Sequence, residues 1–316
     1  MTNCFVGIDT SNYTTSAAVC TEKGDVVANF KIPLPVKPGE CGLRQSDAVF
    51  AHVKNLPVIM QRLKSFLHEA YRPVAIGVSA RPREADGSYM PCFLSGVAAA
   101  EAFAAGLDIP LLQFSHQDGH IMAAAYSAGV GKEVLGSRFA AFHVSGGTTE
   151  VLIAEPKACG FSATLKAQTQ DINAGQAIDR VGVMLGLQFP CGKELEALAL
   201  KNMKKIPKPR ICVRDGCCNL SGLQNLAQKL WEESGDAPLV AAYTLEFVGA
   251  TLLEMTAQLD QQFPGLPIIY AGGVMSNRHL QELLSRRSNT YFAEPQFSSD
   301  NAAGISLLCR RQMRED

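Results

Sequence analysis

The chain has 316 residues, of which 47% are hydrophobic and 19% charged, and its formal net charge is -1. This composition is typical of a packed globular protein. It excludes a disordered chain and a chain whose overall charge would attract nucleic acid. The length favours two domains. No secretory signal is visible and the ten cysteines form no C-x-x-C pair, so we expect a cytoplasmic protein with reduced thiols.

The first half opens with a strand, a turn rich in Ser and Thr, and a second strand over residues 5–19. A loop from Ser79 to Pro91 follows a short apolar strand, at the place where α/β proteins bind ligands. Apolar periodicity predicts the other elements. They are a third strand up to residue 30, helix 46–70, strand 74–78, helix 92–106, strand 111–114 and helix 115–128.

The second half opens with the same design over residues 142–153. Gly146 and Gly147 lie between Ser145 and Thr148, and bare glycine amides beside hydroxyls suit a phosphate. An ordinary polar hairpin is the alternative interpretation. The later predicted elements are a strand at 164–168, helices 174–187 and 193–203, an exposed basic loop at 201–214, helix 237–263, strand 268–271, helix 277–286, strand 290–293 and a last helix.

Each half therefore contains three antiparallel strands followed by alternating helices and strands. Two copies of such a unit form the actin-like ATPase architecture, an α/β fold of two duplicated RNase H-like lobes with a nucleotide in the cleft between them. We expect an N-terminal lobe over 1–135 and a C-terminal lobe over 136–316, with the last helix packing back on the first lobe.

A pair of histidines indicates a metal site. His116 and His120 are four residues apart on a predicted helix, so both imidazoles can reach one ion. Asp300 lies where a loop enters the last helix and is a third candidate ligand, and His143 is a possible fourth. The donors suit Fe, Zn or Mn alike. Two partly buried histidines without an ion are the alternative.

Three short segments of the second half could contact a nucleotide. Asp179 lies one turn inside a helix, where it could meet a ribose hydroxyl or pair with Arg180. The turn that ends at Gly192 could pass under the nucleotide. Gly272 and Gly273 form a strand-to-helix turn that allows close approach to a phosphate or base.

These motifs, in this order, resemble the tRNA threonylcarbamoyladenosine synthases of the TsaD type. The resemblance runs from the first strand to the last helix. It rests on Gly7-Ile8-Asp9-Thr10-Ser11, His52, His116-x-x-x-His120, Val144-Ser145-Gly146-Gly147, Ala174-Gly175-Gln176-Ala177-Ile178-Asp179, Ser221-Gly222-Leu223, Ala271-Gly272-Gly273-Val274-x-x-Asn277-Arg278 and Ser299-Asp300-Asn301.

The resemblance implies transfer of threonylcarbamoyl from its adenylate to the exocyclic amine of the tRNA adenosine beside the anticodon. It also implies a divalent metal held by the two histidines and the aspartate, with His143 where some members carry a metal-contacting tyrosine. Asp179, Gly192 and Asn277 match positions that bind the adenylate. We assign Ser11, Ser145 and Thr148 catalytic roles, because the hydroxyl-rich turns would stabilise charge on the leaving phosphate.

Departures from the family pattern indicate a divergent paralogue. Tyr13 and Thr14 replace an acidic pair, Thr148 replaces a His or Asn, and the segment from Arg81 to Pro91 replaces a Gly-Pro-Gly loop. Lys193 and Glu194 stand where the family has glycine and proline.

Three functions remain open from the sequence. The chain transfers threonylcarbamoyl to tRNA, or it transfers a carbamoyl or acyl group to another acceptor, or it is a non-catalytic nucleotide-binding partner of a true synthase. An anionic acceptor could bind Arg81 and Arg83. The basic loop 201–214 could contact tRNA phosphates, and partner proteins of the threonylcarbamoylation machinery could be required.

Overall fold

The computed structural model describes residues 1–11, 13–35, 43–68, 70–158, 160–298 and 300–314. The chain forms two compact units. Unit 1 comprises Met1–Ser127, Pro156–Ala163 and Gln296–Asp316, and unit 2 comprises Ala128–Glu155 and Thr164–Pro295. Compared with the predicted division between residues 135 and 136, unit 1 ends earlier and contains two later segments of the chain.

Strands and helices are numbered in chain order. The strands are β1 Thr2–Ser11, β2 Thr14–Thr21, β3 Val26–Pro33, β4 Tyr71–Arg81, β5 Leu111–Ser115, β6 Phe139–Val144, β7 Thr149–Pro156, β8 Phe161–Gln168, β9 Cys212–Arg214, β10 Cys217–Asn219, β11 Ile268–Ala271 and β12 Thr290–Phe292. The helices are α1 Gln45–Leu67, α2 Cys92–Leu107, α3 His116–Ser127, α4 Lys132–Leu135, α5 Ala174–Met184, α6 Gly192–Ala199, α7 Gly222–Ser234, α8 Ala237–Gln262, α9 Arg278–Leu284, α10 Pro295–Ser298 and α11 Ala303–Arg314.

The sheet of unit 1 has the order β3-β2-β1-β4-β5. Strand β1 is antiparallel to β2 and parallel to β4. Because side chains alternate along a strand, β1 serves two layers. Val6 and Ile8 join a buried cluster with Ile59 of α1 and Ala100 of α2, whereas a β-carbon at Gly7 would meet the backbone of Ser306 in α11. Helices therefore cover both faces of this sheet.

The sheet of unit 2 repeats this order with later strands. Read from its opposite edge, the order is β8-β7-β6-β11-β12. Strand β6 takes the place of β1, because it is antiparallel to β7 and parallel to β11. The same strand order and directions in two parts of one chain are what an internal duplication predicts.

Helix α8 is the centre of the core of unit 2. By length and composition it could cross a membrane, but 78% of its most apolar window is buried within the fold, as in the core helix of a globular domain. Three buried threonines, Thr244, Thr251 and Thr256, donate their hydroxyl protons to carbonyls one turn earlier at 2.7–2.8 Å. Their polar groups are thus satisfied inside the apolar core.

Several elements differ from the prediction, the short helices α4 and α10 among them. Part of the predicted basic loop 201–214 belongs to a hairpin, because β9 pairs with β10. Helix α7 was not predicted, and its start is fixed from a distance. The carboxylate of Asp171 accepts hydrogen bonds from the N–H groups of Leu220 and Ser221, at 2.8 and 3.0 Å. A contact across about fifty residues has no local sequence signal.

Helices α3 and α11 cross at two glycines. A β-carbon at Gly304 would overlap the carbonyl oxygen of Gly119, and a β-carbon at Gly119 would lie 2.9 Å from the side chain of Ile305. Gly119 weakens α3 as an isolated helix, so its place between His116 and His120 reflects packing. The crossing brings the two histidines of α3 close to the residues that precede α11.

We expect Gly304→Ala to lower the free energy of unfolding by about 1–3 kcal/mol, because the added methyl group forces the two helices apart. Urea denaturation measures the change. The matched control is Gly106→Ala in α2, where no described atom lies within 4 Å of the added carbon. That variant should be as stable as the parent or slightly more stable. Equal losses in both variants would contradict the close crossing.

Candidate functional site

Unit 1 brings together the three residues predicted to bind a metal. His116 and His120 lie one turn apart on α3, with ring centroids separated by 4.3 Å. Nε2 of His120 is 3.3 Å and Nε2 of His116 is 3.7 Å from Oδ1 of Asp300. The ligand atoms of all three lie within 4.8 Å of one another. Ser299, beside Asp300, lies outside the described residues.

A fourth residue, Asp9, orients His116. Asp9 lies near the end of β1 and is wholly buried. Its Oδ1 lies 2.9 Å from Nδ1 of His116. It also accepts a hydrogen bond from the hydroxyl of Ser79 and from the N–H of Ser11 at 3.4 Å. Because a carboxylate only accepts, Nδ1 of His116 carries the proton and Nε2 faces Asp300. Such carboxylate–histidine pairs support metal ligands in proteins.

The charges of this group depend on one another. Burial disfavours the charged form of each residue, but the charge and hydrogen bond of His116 outweigh burial and lower the pKa of Asp9. Burial likewise opposes the charge on His116, yet Asp9 and Asp300 raise its pKa to about 9. The two histidines hold the pKa of Asp300 well below its usual range. The two carboxylates therefore favour a positive charge between them.

The donor set fits a divalent metal. Two imidazole nitrogens and one carboxylate are ligands that Zn, Fe and Mn share. The side chains of His116, His120 and Asp300 are 20%, 23% and 21% exposed, so an ion and one further small ligand could reach them.

The Gly-Gly turn of unit 2 is held by its own serine. The Ser145 N–H donates to the carbonyl of Thr148 at 2.7 Å. The N–H groups of Gly147 and Thr148 donate to the Ser145 hydroxyl at 3.2 and 3.0 Å. Gly146 and Gly147 are exposed, and no described atom lies within 4 Å of either β-carbon position. Ser145 thus shapes the turn, and open space lies beside its glycines.

The N-terminus of α5 packs against this turn. Gly175 donates its N–H to the carbonyl of Ser145 at 3.0 Å, and Ala174 donates to the hydroxyl of Thr149 at 2.9 Å. A helix N-terminus carries a partial positive charge and favours anions. The exposed glycine turn and the start of α5 together form an environment suited to a phosphate.

Asp179 supports the turn before α6. Its Oδ1 accepts the N–H of Cys191 at 2.8 Å, immediately before Gly192. A cavity of about 450 Å³ opens beside it. The cavity is lined by Gln176, Asp179, Arg180, Val183, Phe189 and Gln224. Its volume lies within the range of small-molecule sites.

The second glycine turn of unit 2 has a different construction. Gly272 has φ of +105°, and a β-carbon there would overlap the carbonyl of Val144, so only glycine fits. Gly273 is exposed and begins a 3₁₀ turn. Asn277 is nearly buried, and its side chain caps α9 by accepting the N–H of Leu280 at 3.0 Å.

Two further predicted contributors are His143 and Arg81. His143 lies half-buried on β6 of unit 2, so its role as a metal ligand stays a prediction. Arg81 makes a two-pronged ion pair with Glu84 at 2.7 and 2.8 Å. That pairing occupies the guanidinium that an anionic acceptor was predicted to use.

Asp9 was assigned no role from the sequence, although it belongs to one of the motifs described above. The signal that could have found it is a carboxylate inside the apolar run Phe5-Val6-Gly7-Ile8-Asp9, since a buried charge requires a partner. Ser79, at the end of β4, carried no comparable signal.

Comparison with known sequences gives a consistent result. The family model for TsaD, described as tRNA N6-adenosine threonylcarbamoyltransferase, matches residues 40–307. A protein of that name from Methanopyrus kandleri is 28% identical over 315 residues, covering 95% of this chain and 85% of the relative.

Solved structures support the fold. A full-length HypF in its phosphate- and nucleotide-bound form aligns with a TM-score of 0.58 at 12% identity, over 98% of this chain. This chain spans about half, 55%, of that longer protein. A ROK family glucokinase from Streptomyces griseus aligns with a TM-score of 0.54 at 12% identity, covering 98% of this chain and 99% of the glucokinase. The predicted actin-like architecture is confirmed.

We expect Asp9→Asn to lower the affinity for Zn²⁺ about 10- to 100-fold, because the neutral amide no longer holds His116 as a charged partner does. Isothermal titration calorimetry of the metal-free protein measures the affinity, and circular dichroism checks the fold. Asp47→Asn, at an exposed position in the first turn of α1, is the control. Parental affinity in Asp9→Asn would show that His116 needs no support from Asp9.

Proposed function

Because the chain belongs to the tRNA N6-adenosine threonylcarbamoyltransferase family, we propose that it transfers threonylcarbamoyl from threonylcarbamoyl-adenylate to the N6 amine of the tRNA adenosine next to the anticodon. The observation that carries the proposal is the group of His116, His120 and Asp300, preformed in a chain of this family. A protein that only bound a nucleotide would have no need of such a group.

In this proposal unit 1 supplies the metal-binding residues. His116, His120 and Asp300 would hold the ion, and Asp9 fixes the imidazole of His116 so that Nε2 is the ligand atom. The ion, when bound, would act as a Lewis acid on the acyl group. We place Ser11 beside these residues as a supporting hydroxyl.

Unit 2 supplies the nucleotide-binding residues. The amide of Gly146, with the start of α5, would bind the phosphate, Gly147 would leave room for its close approach, and Thr148 would add a hydroxyl. The cavity beside Asp179 would take the nucleoside, and Gly192, which follows the Cys191 that Asp179 holds, would contact it. The strand-to-helix turn of Gly272 and Gly273 would contact the same nucleotide, together with Asn277 at the start of α9. The turn of Ser145 would contact it as well.

The reaction exchanges one acyl bond for another. The N6 amine attacks the carbamoyl carbon of the mixed anhydride, and a carbon–nitrogen bond forms. The bond from that carbon to the phosphate oxygen breaks, AMP leaves, and the amine loses one proton. Negative charge develops on the departing phosphate, and donors already in place for that charge lower the barrier.

The structure weakens one alternative. Transfer to a different, anionic acceptor was attractive because Arg81 and Arg83 are present, but Arg81 is paired with Glu84. Thr148, in place of the usual His or Asn, and Tyr13 and Thr14, in place of an acidic pair, remain reasons to consider another acceptor.

Expression in cells depleted of their own synthase tests the function, because such cells also supply any partner proteins. We expect the modified adenosine to reappear in digested tRNA, as measured by mass spectrometry. His116→Ala and Asp300→Ala should each lower its amount about 100-fold or more, since each removes a group that acts on the reacting centre. His68→Ala, exposed after α1, is the histidine control. No modified adenosine despite folded, metal-loaded protein would favour the different acceptor.

The basic loop offers a surface for tRNA. Lys205, Lys208 and Arg210 are exposed, and lysines that neutralise phosphates release counterions on binding. Lys204 is less available, because its Nζ lies 2.7 Å from Asp236. We therefore propose that Lys205 and Lys208 contribute more to tRNA binding than Lys204.

We expect tRNA affinity to fall steeply with salt, and Lys205→Gln/Lys208→Gln to reduce the slope of log affinity against log salt by roughly one per lost phosphate contact. Filter binding over a series of KCl concentrations measures the slope. Lys23→Gln/Lys64→Gln, two exposed lysines of unit 1, is the charge-matched control. A slope unchanged by the first pair would remove the loop from the tRNA-binding surface.

A further inference from the structure

Unit 1 contains a further histidine that takes no part in the proposed reaction. His52 of α1 is fully buried. Its Nε2 lies 2.9 Å from the carbonyl oxygen of Ser11, and its Nδ1 lies 2.9 Å from the hydroxyl of Thr15. Asn55, one turn further along α1, donates to the same hydroxyl at 3.1 Å. These bonds connect α1 to the last residue of β1.

The chemistry of the partners fixes the direction of the bonds. A carbonyl oxygen only accepts, so Nε2 of His52 carries the proton. Burial lowers the pKa of His52, which keeps the ring neutral, and its Nδ1 therefore accepts the proton of the Thr15 hydroxyl. Asn55 donates to the lone pair that remains on that oxygen. Both ring nitrogens of His52 and the hydroxyl of Thr15 thus have hydrogen-bond partners of the right kind.

The chain of bonds ends next to the metal-binding residues. Ser11 is held by its carbonyl through His52 and by its N–H through Asp9. The Ser11 hydroxyl is buried and makes no regular hydrogen bond with the described residues. The connection to the metal-binding residues therefore runs through the Ser11 backbone. Its N–H bonds to Asp9, the carboxylate that orients His116.

We propose that His52 is a positioning residue of the metal group, which holds the backbone of Ser11 so that the Ser11 N–H stays bonded to Asp9 and helps that carboxylate to orient His116. The inference rests on the proposed function in one respect, since His116, His120 and Asp300 are assigned a metal there. His52 acts through Ser11 and touches neither the ion nor the substrate.

Two substitutions of His52 separate positioning from packing. The amide of glutamine can place a donor near the position of Nε2, whereas the shorter asparagine reaches only the position of Nδ1. His52→Asn should therefore lose the bond to Ser11, and His52→Gln should keep it. We expect His52→Asn to lower Co²⁺ affinity about tenfold, with a changed visible absorption spectrum of the bound Co²⁺, and His52→Gln to restore most of both.

A double-mutant cycle tests the route of the effect. Asp9→Asn should lower Co²⁺ affinity, and His52→Asn should add no further loss in that background, because the carboxylate that the Ser11 backbone helps to hold is gone. Additive losses would overturn the proposal, and so would equal losses in His52→Asn and His52→Gln. If His52→Asn does not fold, Thr15→Val and Thr15→Ser form a second pair, of which only Thr15→Val should weaken Co²⁺ binding.

Failure of this inference is distinguishable from failure of the proposed function, because Co²⁺ titration needs neither tRNA nor adenylate. Parental Co²⁺ affinity in His52→Asn overturns the role of His52 and leaves the transfer reaction standing. If all variants bind Co²⁺ with the expected affinities but the cells contain no modified adenosine, the transfer reaction alone is overturned. A parent chain that binds no Co²⁺ overturns the metal assignment and the role of His52 together.

Discussion

The hydrogen bond between Asp9 and His116 is the interaction on which the candidate site depends. It joins the end of the central strand β1 to the first residue of α3. It also decides which nitrogen of His116 is left for a ligand. The close crossing at Gly119 and Gly304 then brings the start of α11 alongside α3, and Asp300 reaches both histidines. Two packing features of the fold thus assemble one polar group.

The same bond makes the group dependent on positive charge. Asp9 is wholly buried and Asp300 largely enclosed, and an unpaired buried carboxylate destabilises a fold strongly. In the metal-free chain the proton on His116 compensates both carboxylates, which is why its pKa rises to about 9. A divalent ion would supply the same compensation through the lone pair of Nε2. Proton and ion would therefore compete for one position.

The sequence predicted the fold well because the same pattern of strands and turns occurs in both halves of the chain. Two strand–turn–strand segments with later alternating elements predicted both sheets, and the spacing of His116 and His120 predicted the start of the metal group. Contacts between distant residues were not predictable. Asp171 fixes the start of α7, and Glu84 neutralises Arg81. Asp9, Ser79 and His52 meet their partners only after the sheet has formed, and no local pattern encodes those contacts.

The two copies of the hairpin have diverged in the use of their hydroxyls. In unit 2, Ser145 closes its own turn by accepting the N–H groups of Gly147 and Thr148, and the two glycines stay exposed. In unit 1 the hydroxyl of Thr15 donates to Nδ1 of His52, and the carbonyl of Ser11 accepts from Nε2 of the same ring. In the proposed function, one copy of the element would present its backbone to an anion and the other would support cation ligands. A buried histidine on α1 bonds to both strands of the first hairpin, which keeps their polar groups inside the fold.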